Sequence, residues 1–442
     1  MLNKRLRLLC AVIAALTLLS GCSISEIDKL YSLPKPSQEY LQLQKLIDAE
    51  IAAGSEYSAP TAGSLRQSIQ LTDLDGDGTN EALVFLRNSD AQPEICVYRK
   101  IDGEFALATV IKGEGTAIGR IEYADINGDG LSEILVSWEV SSELRLLKVY
   151  SVKDWESSAL LTASCIDFQI GDLNSDGTTD ILALSLETSG GKVDMYTIDR
   201  QNDVIQKTAK LSASLKTVDR FRIADIVNKV PAIFVEGQFK DKESSSLITD
   251  IVIYSGGGLK NLTVNSVNGD SPTKRDYPVY STDIDGNGSL DVPLAEKLSS
   301  SQGNNDYYVF DWYSFDASGK SELCASTYQC YTDGWYFTLP TEWRKNIFIR
   351  RESSLPGERA TVFSTLDENG KQTDLLTVYT LSDENRIDRA KLGSRFVLLS
   401  SQTTIYAAEL NTDSGLPADE SAKQEIIKRF HLIYTEWNTG DL

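Results

Sequence analysis

In the stretch LTDLDGDGTNEALVFL (residues 71–86), oxygen-bearing side chains fall at every second position, and an acid follows four residues after the third of them. Asp73, Asp75, Asp77 and Glu81 occupy those places, and the backbone carbonyl of Thr79 fills the gap in the series. The same offsets recur as Asp125, Asn127, Asp129 and Glu133, with Leu131 at the carbonyl position; as Asp172, Asn174, Asp176 and Asp180, with Thr178; and as Asp283, Asp285, Asn287 and Asp291, with Ser289. A hard cation such as calcium takes six to eight oxygens, and a tight glycine-assisted loop aims alternate side chains at one centre. Asp and Gly also dominate ordinary turns, which is the plain alternative for any single copy. Recurrence with unchanged offsets favours ion binding, so calcium is the expected cofactor, at about four sites.

The elements that must hold these loops are legible around them. Four residues before each first acid stand Ile69, Ile121, Phe168, Phe221 and Val279. A small residue precedes the acid (Thr72, Ala124, Gly171, Ala224, Thr282), and Leu74, Ile126, Leu173, Ile226 or Ile284 follows it. These positions include a further copy, FRIADIVNKVPAIFV, which keeps the frame around Asp225 but has Val227, Lys229 and Ile233 where ligands belong. Structure and metal are therefore separable in this repeat. Successive copies lie roughly 50 residues apart, with about four short alternating strands in each interval, a pattern of propeller blades. An EF-hand needs a bidentate Glu at loop position 12, where this chain has Val84, Val136, Ala183 and Leu294, and helices where it has ALVFL and ILAL.

The loops resemble the calcium-binding repeats of the FG-GAP/VCBS families, found in integrin α-chain propellers and many bacterial surface proteins. The likeness spans residues 60–330 and rests on the Asp-x-Asp/Asn-x-Asp/Asn-Gly-x-x-Asp/Glu frame, from which the copy at Asp225 departs. The resemblance implies a mainly β fold with a propeller at 61–331. Five blades are expected, with six or seven as the alternative. Ring closure would pair the strand near Ile69 with strands near 305–330, hiding the edges.

The chain begins with a basic segment (Lys4, Arg5, Arg7), an apolar run from Leu8 to Leu19, and Leu19-Ser20-Gly21-Cys22. This is a secretory leader over 1–21, too short for an ordinary spanning helix. Its ending resembles the bacterial lipobox, which makes Cys22 the expected lipidation site and places the mature protein on the extracytoplasmic face of a bacterial cell membrane. Residues 22–60 are expected to be a tether and a short helix with Tyr40, Leu43, Ile47 and Ile51 on one side. With 442 residues, 41% of them apolar, the chain has room for several cores. A net charge of −21 repels nucleic acid, which is excluded as a partner. Beyond Cys22 the cysteines are Cys96, Cys165, Cys324 and Cys330, the last two near enough in sequence for a hairpin disulfide. His431 is the only histidine, so zinc sites and His-dependent triads have no basis.

From residue 332 to 442 the repeat stops. Strands such as LLTVYTL and TTIYAAEL, with an amphipathic helix at 421–437, indicate a small α+β domain weakly similar to PsbP-like domains in its Leu339-Pro340 and Trp343. Trp335, Tyr336 and Trp343 suit a sugar-binding face or, with better odds, core strands. No catalytic residue is assigned: every carboxylate pair is better explained as ligands, and nucleophile-elbow, zincin and P-loop motifs are absent. The expected function is a membrane-anchored binding or assembly scaffold for a protein or glycan ligand. The alternative is an extracellular hydrolase acting on glycans or phosphoesters.

Overall fold

The computed structural model describes residues 38–433 apart from 143, 188–189, 240–245, 266, 299–306 and 367–370. The expected leader, Cys22 and the first part of the tether lie outside the described residues. The described residues are mainly β, arranged as six antiparallel sheets.

The first sheet holds β1 (Glu56–Tyr57), β2 (Ile69–Thr72), β3 (Glu81–Arg87), β4 (Pro93–Ile101) and β5 (Glu104–Lys112), with β1 and β2 sharing one edge of β3. The second runs β6 (Ala117–Ala124), β7 (Glu133–Glu139), β8 (Arg145–Ser151), β9 (Ser158–Cys165). The third runs β10 (Asp167–Gly171), β11 (Asp180–Glu187), β12 (Gly190–Ile198), β13 (Val204–Lys210). The fourth runs β14 (Arg220–Ile226), β15 (Val230–Gly237), β16 (Ile248–Ser255), β17 (Gly258–Asn261). In the fifth, β18 (Val292–Lys297), β19 (Tyr308–Phe315), β20 (Ser321–Cys330) and β21 (Trp335–Thr338) follow in order. The sixth contains β22 (Ile347–Leu355), β23 (Glu358–Leu366), β24 (Gln372–Leu381), β25 (Phe396–Ser400) and β26 (Ile405–Leu410), with β26 inserted between β24 and β25.

The second strand of each repeat explains the stacking. A strand buried on one face alternates apolar and polar residues; one buried on both reads as a continuous apolar run. The β3 residues Glu81 to Leu86 are all buried, as are Glu133 to Trp138 of β7. Alternate side chains go to opposite neighbours. Leu83 and Phe85 meet Ile118, Ile134 and Trp138 of the second sheet, whereas Ala82, Val84 and Leu86 face the other way. The remaining interfaces follow suit: Leu135 and Val149 with Phe168 and Ile181, Leu184 and Met195 with Phe221 and Val235, Phe234 and Ile251 with Val292 and Phe315. A final core joins Val309, Tyr328 and Trp335 of the fifth sheet to Ile349, Phe363 and Leu376 of the sixth.

The outer face of the first sheet is covered by a helix, α1 (Gln38–Ala52), through Leu43 and Ile47, which are 3% and 0% exposed. Ile51 packs at the margin and Tyr40 sits at the exposed rim. Gln42 bonds the edge strand at both ends of its amide, donating to the Phe105 carbonyl and accepting from the Phe105 N–H, each at 2.8 Å.

Several expectations change here. The strand at Ile69 does not pair with residues 305–330; it pairs with β3, Ile69 opposite Val84 and Thr72 opposite Glu81. The edges it would have needed are taken, since β18 and β20 flank β19 and β21 covers β20. Among the described residues no strand pairing joins the first sheet to the last, and the sheets form an open row rather than the expected closed ring. The fifth sheet also runs past residue 331. Trp335 and Phe337 of β21 bury fully in the core shared with the sixth sheet, and β27 (Phe430–Leu432) adds to β21. The C-terminal helix, α2 (Glu420–Arg429), therefore stops short of the expected 437, where Phe430 turns inward and His431 outward in strand alternation. Cys324 and Cys330 are free, as are Cys96 and Cys165. Both lie on β20, where six residues of extended chain span about 20 Å, far beyond the reach of a disulfide.

Truncating Ile47 to Ala leaves a void between α1 and the first sheet. Urea unfolding of this variant is expected to show a loss of about 2–4 kcal/mol. A loss well below 1 kcal/mol would mean that the helix does not close this end of the core.

Candidate metal loops

Three of the acidic loops connect the first and second strands of their sheets, and the loop at Asp283 leads directly into β18, the first strand of the fifth sheet. The ladder closes on the same pair every time: Thr72 opposite Glu81, Ala124 opposite Glu133, Gly171 opposite Asp180, and a single bridge between Thr282 and Asp291. The final acid is thus the first residue of β3, β7 or β11, or in the case of Asp291 the residue just before β18, and the loop folds over it.

Backbone N–H groups organise the acids. The first carboxylate accepts from the glycine five residues on: Asp73 from Gly78 (2.9 Å), Asp125 from Gly130 (3.0 Å), Asp172 from Gly177 (2.9 Å), Asp283 from Gly288 (2.8 Å). Those glycines have φ of 83°, 91°, 87° and 81°, a left-handed backbone that a β-carbon would strain. The second and third side chains each accept from the N–H two residues ahead, as Asp75 does from Asp77 (3.2 Å) and Asp77 from Thr79 (2.6 Å). Asn127, Asp129, Asn174, Asp176, Asp285 and Asn287 repeat these bonds. Consecutive turns of this kind put alternate side chains on one side of the loop.

The closing acid reaches back to the residue after the first Asp. Leu74 N–H donates to Glu81 (2.9 Å), Ile126 to Glu133 (2.9 Å), Leu173 to Asp180 (3.0 Å), Ile284 to Asp291 (3.2 Å). Carboxylate oxygens of Asp73, Asp75 and Glu81 come within 4.8 Å of one another, and Asp285 and Asp291 converge likewise, beside Cys324. Burial and the adjoining Asp291 push the Cys324 thiol up, so it stays protonated and donates to the Trp312 carbonyl (3.2 Å). Leu131 and Thr178 bond their loops through their own N–H groups, and the Ser289 hydroxyl is committed to the Ile226 carbonyl at 3.0 Å.

The charge balance points to a cation. Glu133 Oε1 and Asp291 Oδ1 are buried with no hydrogen-bond partner among the described residues, in side chains 1% and 0% exposed. A buried carboxylate oxygen without a donor is costly unless a positive charge stands beside it. Burial, reinforced by the neighbouring acids, pushes Glu81 and Glu133 up to about 7 and Asp291 to about 6. Asp180 is also raised by burial, although Thr197 Oγ1 donates to its second oxygen at 2.8 Å. Each loop offers four oxygen-bearing side chains, and the convergence of Asp73, Asp75 and Glu81 fits a hard divalent ion.

The fourth repeat differs more than the substitutions suggest. Ala224 pairs with Ala232 and the ladder continues to Ile226 opposite Val230, so this loop is one residue shorter and Ala232, not Ile233, stands in the place of the closing acid. Val227–Lys229 make one tight turn with Asn228 and Lys229 left-handed. Lys229 Nζ then donates to the Asn287 carbonyl in the next loop at 2.9 Å. Neighbouring loops also meet through Ser132 N–H on the Leu74 carbonyl (3.0 Å) and Leu290 N–H on the Asp225 carbonyl (2.9 Å), which sets them side by side along one edge of the row. Thr197 on β12, Cys324 on β20, Lys229 in the turn of the fourth repeat and Asn202, which accepts from the Asn127 amide at 3.0 Å in the turn between β12 and β13, support the loops; nothing in their spacing marks them. Trp335, Tyr336 and Trp343 are buried at 0%, 7% and 6% exposure, so they serve the core and form no binding face.

With divalent ions removed by chelator, the folded chain keeps protons on Glu81 and Glu133 up to about pH 7, whereas the unfolded chain releases them near 4.5. Stability from these groups is complete below about 4.5 and is lost as the pH climbs through 7. Melting temperatures in chelator should fall across that window, and Glu133→Gln should flatten the fall. Asp167, Asp219 and Asp250, raised by burial, add a slope of the same sign that this substitution leaves untouched. A melting temperature that rises with pH and ignores Glu133→Gln would contradict the assignment.

Residues 54–136 match the FG-GAP-like repeat family. A search of curated proteins finds no significant match. Among solved structures, the AfRom2 CNH domain is similar at 8% identity over 81% of this chain and 99% of that chain, with a TM-score of 0.27. Sqt1 from Saccharomyces cerevisiae overlaps 70% of this chain and 97% of that chain at 9% identity and a TM-score of 0.27. An exo-beta-1,3-galactanase from Phanerochaete chrysosporium overlaps 74% and 79% at 11% identity and a TM-score of 0.25. Overlaps at this level carry no inference about activity.

Proposed function

We propose that the chain is an extracytoplasmic lipoprotein, anchored to a bacterial membrane through Cys22, whose calcium-stabilised repeats form a binding or assembly scaffold for a protein or glycan. The observation that carries the calcium reading is the pair of buried, unpartnered oxygens on Glu133 and Asp291, each at the closing position of an otherwise conforming loop. On this reading the five repeat sheets are propeller-type blades in an open row. Calcium, when bound, supplies the charge that turns mutual repulsion of the acids into attraction. The chain's own part is to position oxygens: the first Asp shapes the loop, the next two side chains point inward, and the closing acid is held by the sheet. No helix among the described residues is long and apolar enough to cross a membrane, so the anchor in this proposal is the acyl chain.

Calcium titration of the purified chain is expected to raise the melting temperature, with about four ions bound per folded chain and about 2.7 kcal/mol gained per site at a hundredfold excess over its dissociation constant. Asp75→Ala and Asp176→Ala should each lower both quantities, while Asp225→Ala should leave ion stoichiometry unchanged. Fewer than two ions per chain, or a melting point indifferent to chelator, defeats the calcium reading.

The anchor has a separate test. Cys22→Ser should release the protein from the membrane fraction or block its processing. A variant that still fractionates with detergent-extractable membranes would remove the lipoprotein assignment.

A further inference from the structure

The loop at Asp283 has a donor atom of a different kind beside it. Cys324 Sγ and carboxylate oxygens of Asp285 and Asp291 all lie within 4.8 Å of one another. The sulfur comes from β20, two strands across the sheet from β18. A β-bulge puts it there. In the first, second and fifth sheets the residue after the closing acid pairs with a tyrosine: Ala82 with Tyr98, Ile134 with Tyr150, Val292 with Tyr313. On the other edge of the tyrosine's strand the register slips by one residue, always at the step just before that tyrosine. The residues left unpaired are Ala108, Leu160 and Cys324. A bulge turns a side chain out of the regular alternation. The device belongs to the repeat, and of these three sheets the fifth alone equips it with a metal ligand.

The second observation is the orphaned oxygen of Asp291, a residue that is fully buried. Oδ2 accepts from the Ile284 N–H at 3.2 Å, whereas Oδ1 has no partner among the described residues. In the third sheet the corresponding oxygen of Asp180 accepts from Thr197. Cys324 does not repeat that service, because its single hydrogen goes to the Trp312 carbonyl. A buried carboxylate oxygen beside sulfur lone pairs lacks a positive charge. An ion supplies one without any water-sized void. Metal–oxygen bonds of about 2.0–2.2 Å and metal–sulfur bonds of about 2.3 Å are shorter than a water contact of about 2.8 Å. Asp285 is exposed, so the group opens to solvent at that carboxylate.

The donor set selects the ion. Calcium takes oxygen ligands, and thiolate is a soft ligand that adds little to its binding. Zinc accepts thiolate and carboxylate together in a four-coordinate shell. The shortage of histidine does not weigh against zinc here, because the sulfur arrives from a strand outside the loop.

We propose that the Asp283 loop is a zinc site, held by Cys324 Sγ and one carboxylate oxygen each from Asp285 and Asp291, with water in the fourth position. As the sulfur–zinc bond forms, the thiol proton passes to solvent. This rests on the reading of the loop as a cation loop and changes the ion it prefers; in calcium alone its oxygens still take calcium.

The test uses the full chain in detergent with its thiols reduced, cobalt(II) as the spectroscopic stand-in for zinc, and calcium in excess to fill the other loops. Cobalt should give a thiolate-to-metal charge-transfer band that saturates at about one ion per chain, and zinc should abolish it. Cys324→Ser keeps the size of the side chain and leaves the oxygens in place. It should remove the band and weaken zinc about tenfold or more, the loss that changes to even outer partners of a metal cause. If that variant does not fold, Asp285→Asn decides: it should weaken cobalt about tenfold while the sulfur band persists at saturation, and an unchanged affinity overturns the proposal. No band, a band that survives Cys324→Ser, or zinc displaced by calcium at equal concentration would each overturn it as well. The calcium-induced melting shift is recorded on the same samples. That shift without a cobalt band rejects the zinc site and leaves the calcium loops; the band without the shift rejects the calcium reading and leaves the zinc site.

Discussion

The bond from the closing acid of each loop to the backbone N–H beside the first Asp ties the acidic edge of the molecule to its core. Leu74, Ile126 and Leu173, whose N–H groups donate to Glu81, Glu133 and Asp180, are 1%, 0% and 3% exposed and belong to the cores between successive sheets. One residue therefore links the loop through its backbone and the sheet interface through its side chain. Any change in how the acids are neutralised reaches the packing directly. The fourth repeat shows the alternative solution: without the acid, the ladder extends by two pairs, and Ile226 still fills its interface at 0% exposure.

Burial on both faces imposes a second constraint. Strands such as β3 and β7 have no solvent side, so every sheet needs a neighbour on each face, and a row has two ends to cover. One end is covered by α1, whose Leu43 and Ile47 take the place of a preceding sheet. At the other, the fifth sheet packs on the sixth and gains β27 as a further strand. These covers make closure of a ring unnecessary for burying the core.

Much of this was legible in the residues. Runs like ALVFL and ILAL carry the two-sided burial, the offsets of the acids carry the loops, and the spacing of Leu43 and Ile47 carries the capping helix. Closure was not, because strand order depends on which edges are free after every sheet has formed, and LRQSIQL looks the same beside β3 as beside a distant strand. The one-residue contraction at Ala232 was hidden because an apolar residue stands at both candidate positions, 232 and 233. The cysteine pair misled for a related reason: proximity in sequence became separation in space once Ser321–Cys330 proved to be one extended strand.

An open row with dedicated end covers has a consequence for how such a chain can change over generations. A closed ring fixes its unit number, since adding one blade alters every interface angle. In a row, duplication of one repeat inserts a sheet between two existing neighbours and creates a single new interface of the kind already present. Each insertion would lengthen the molecule by about 10 Å, the spacing of packed sheets. The distance between the α1 end and the sixth sheet is in this sense a heritable ruler, graduated in repeats.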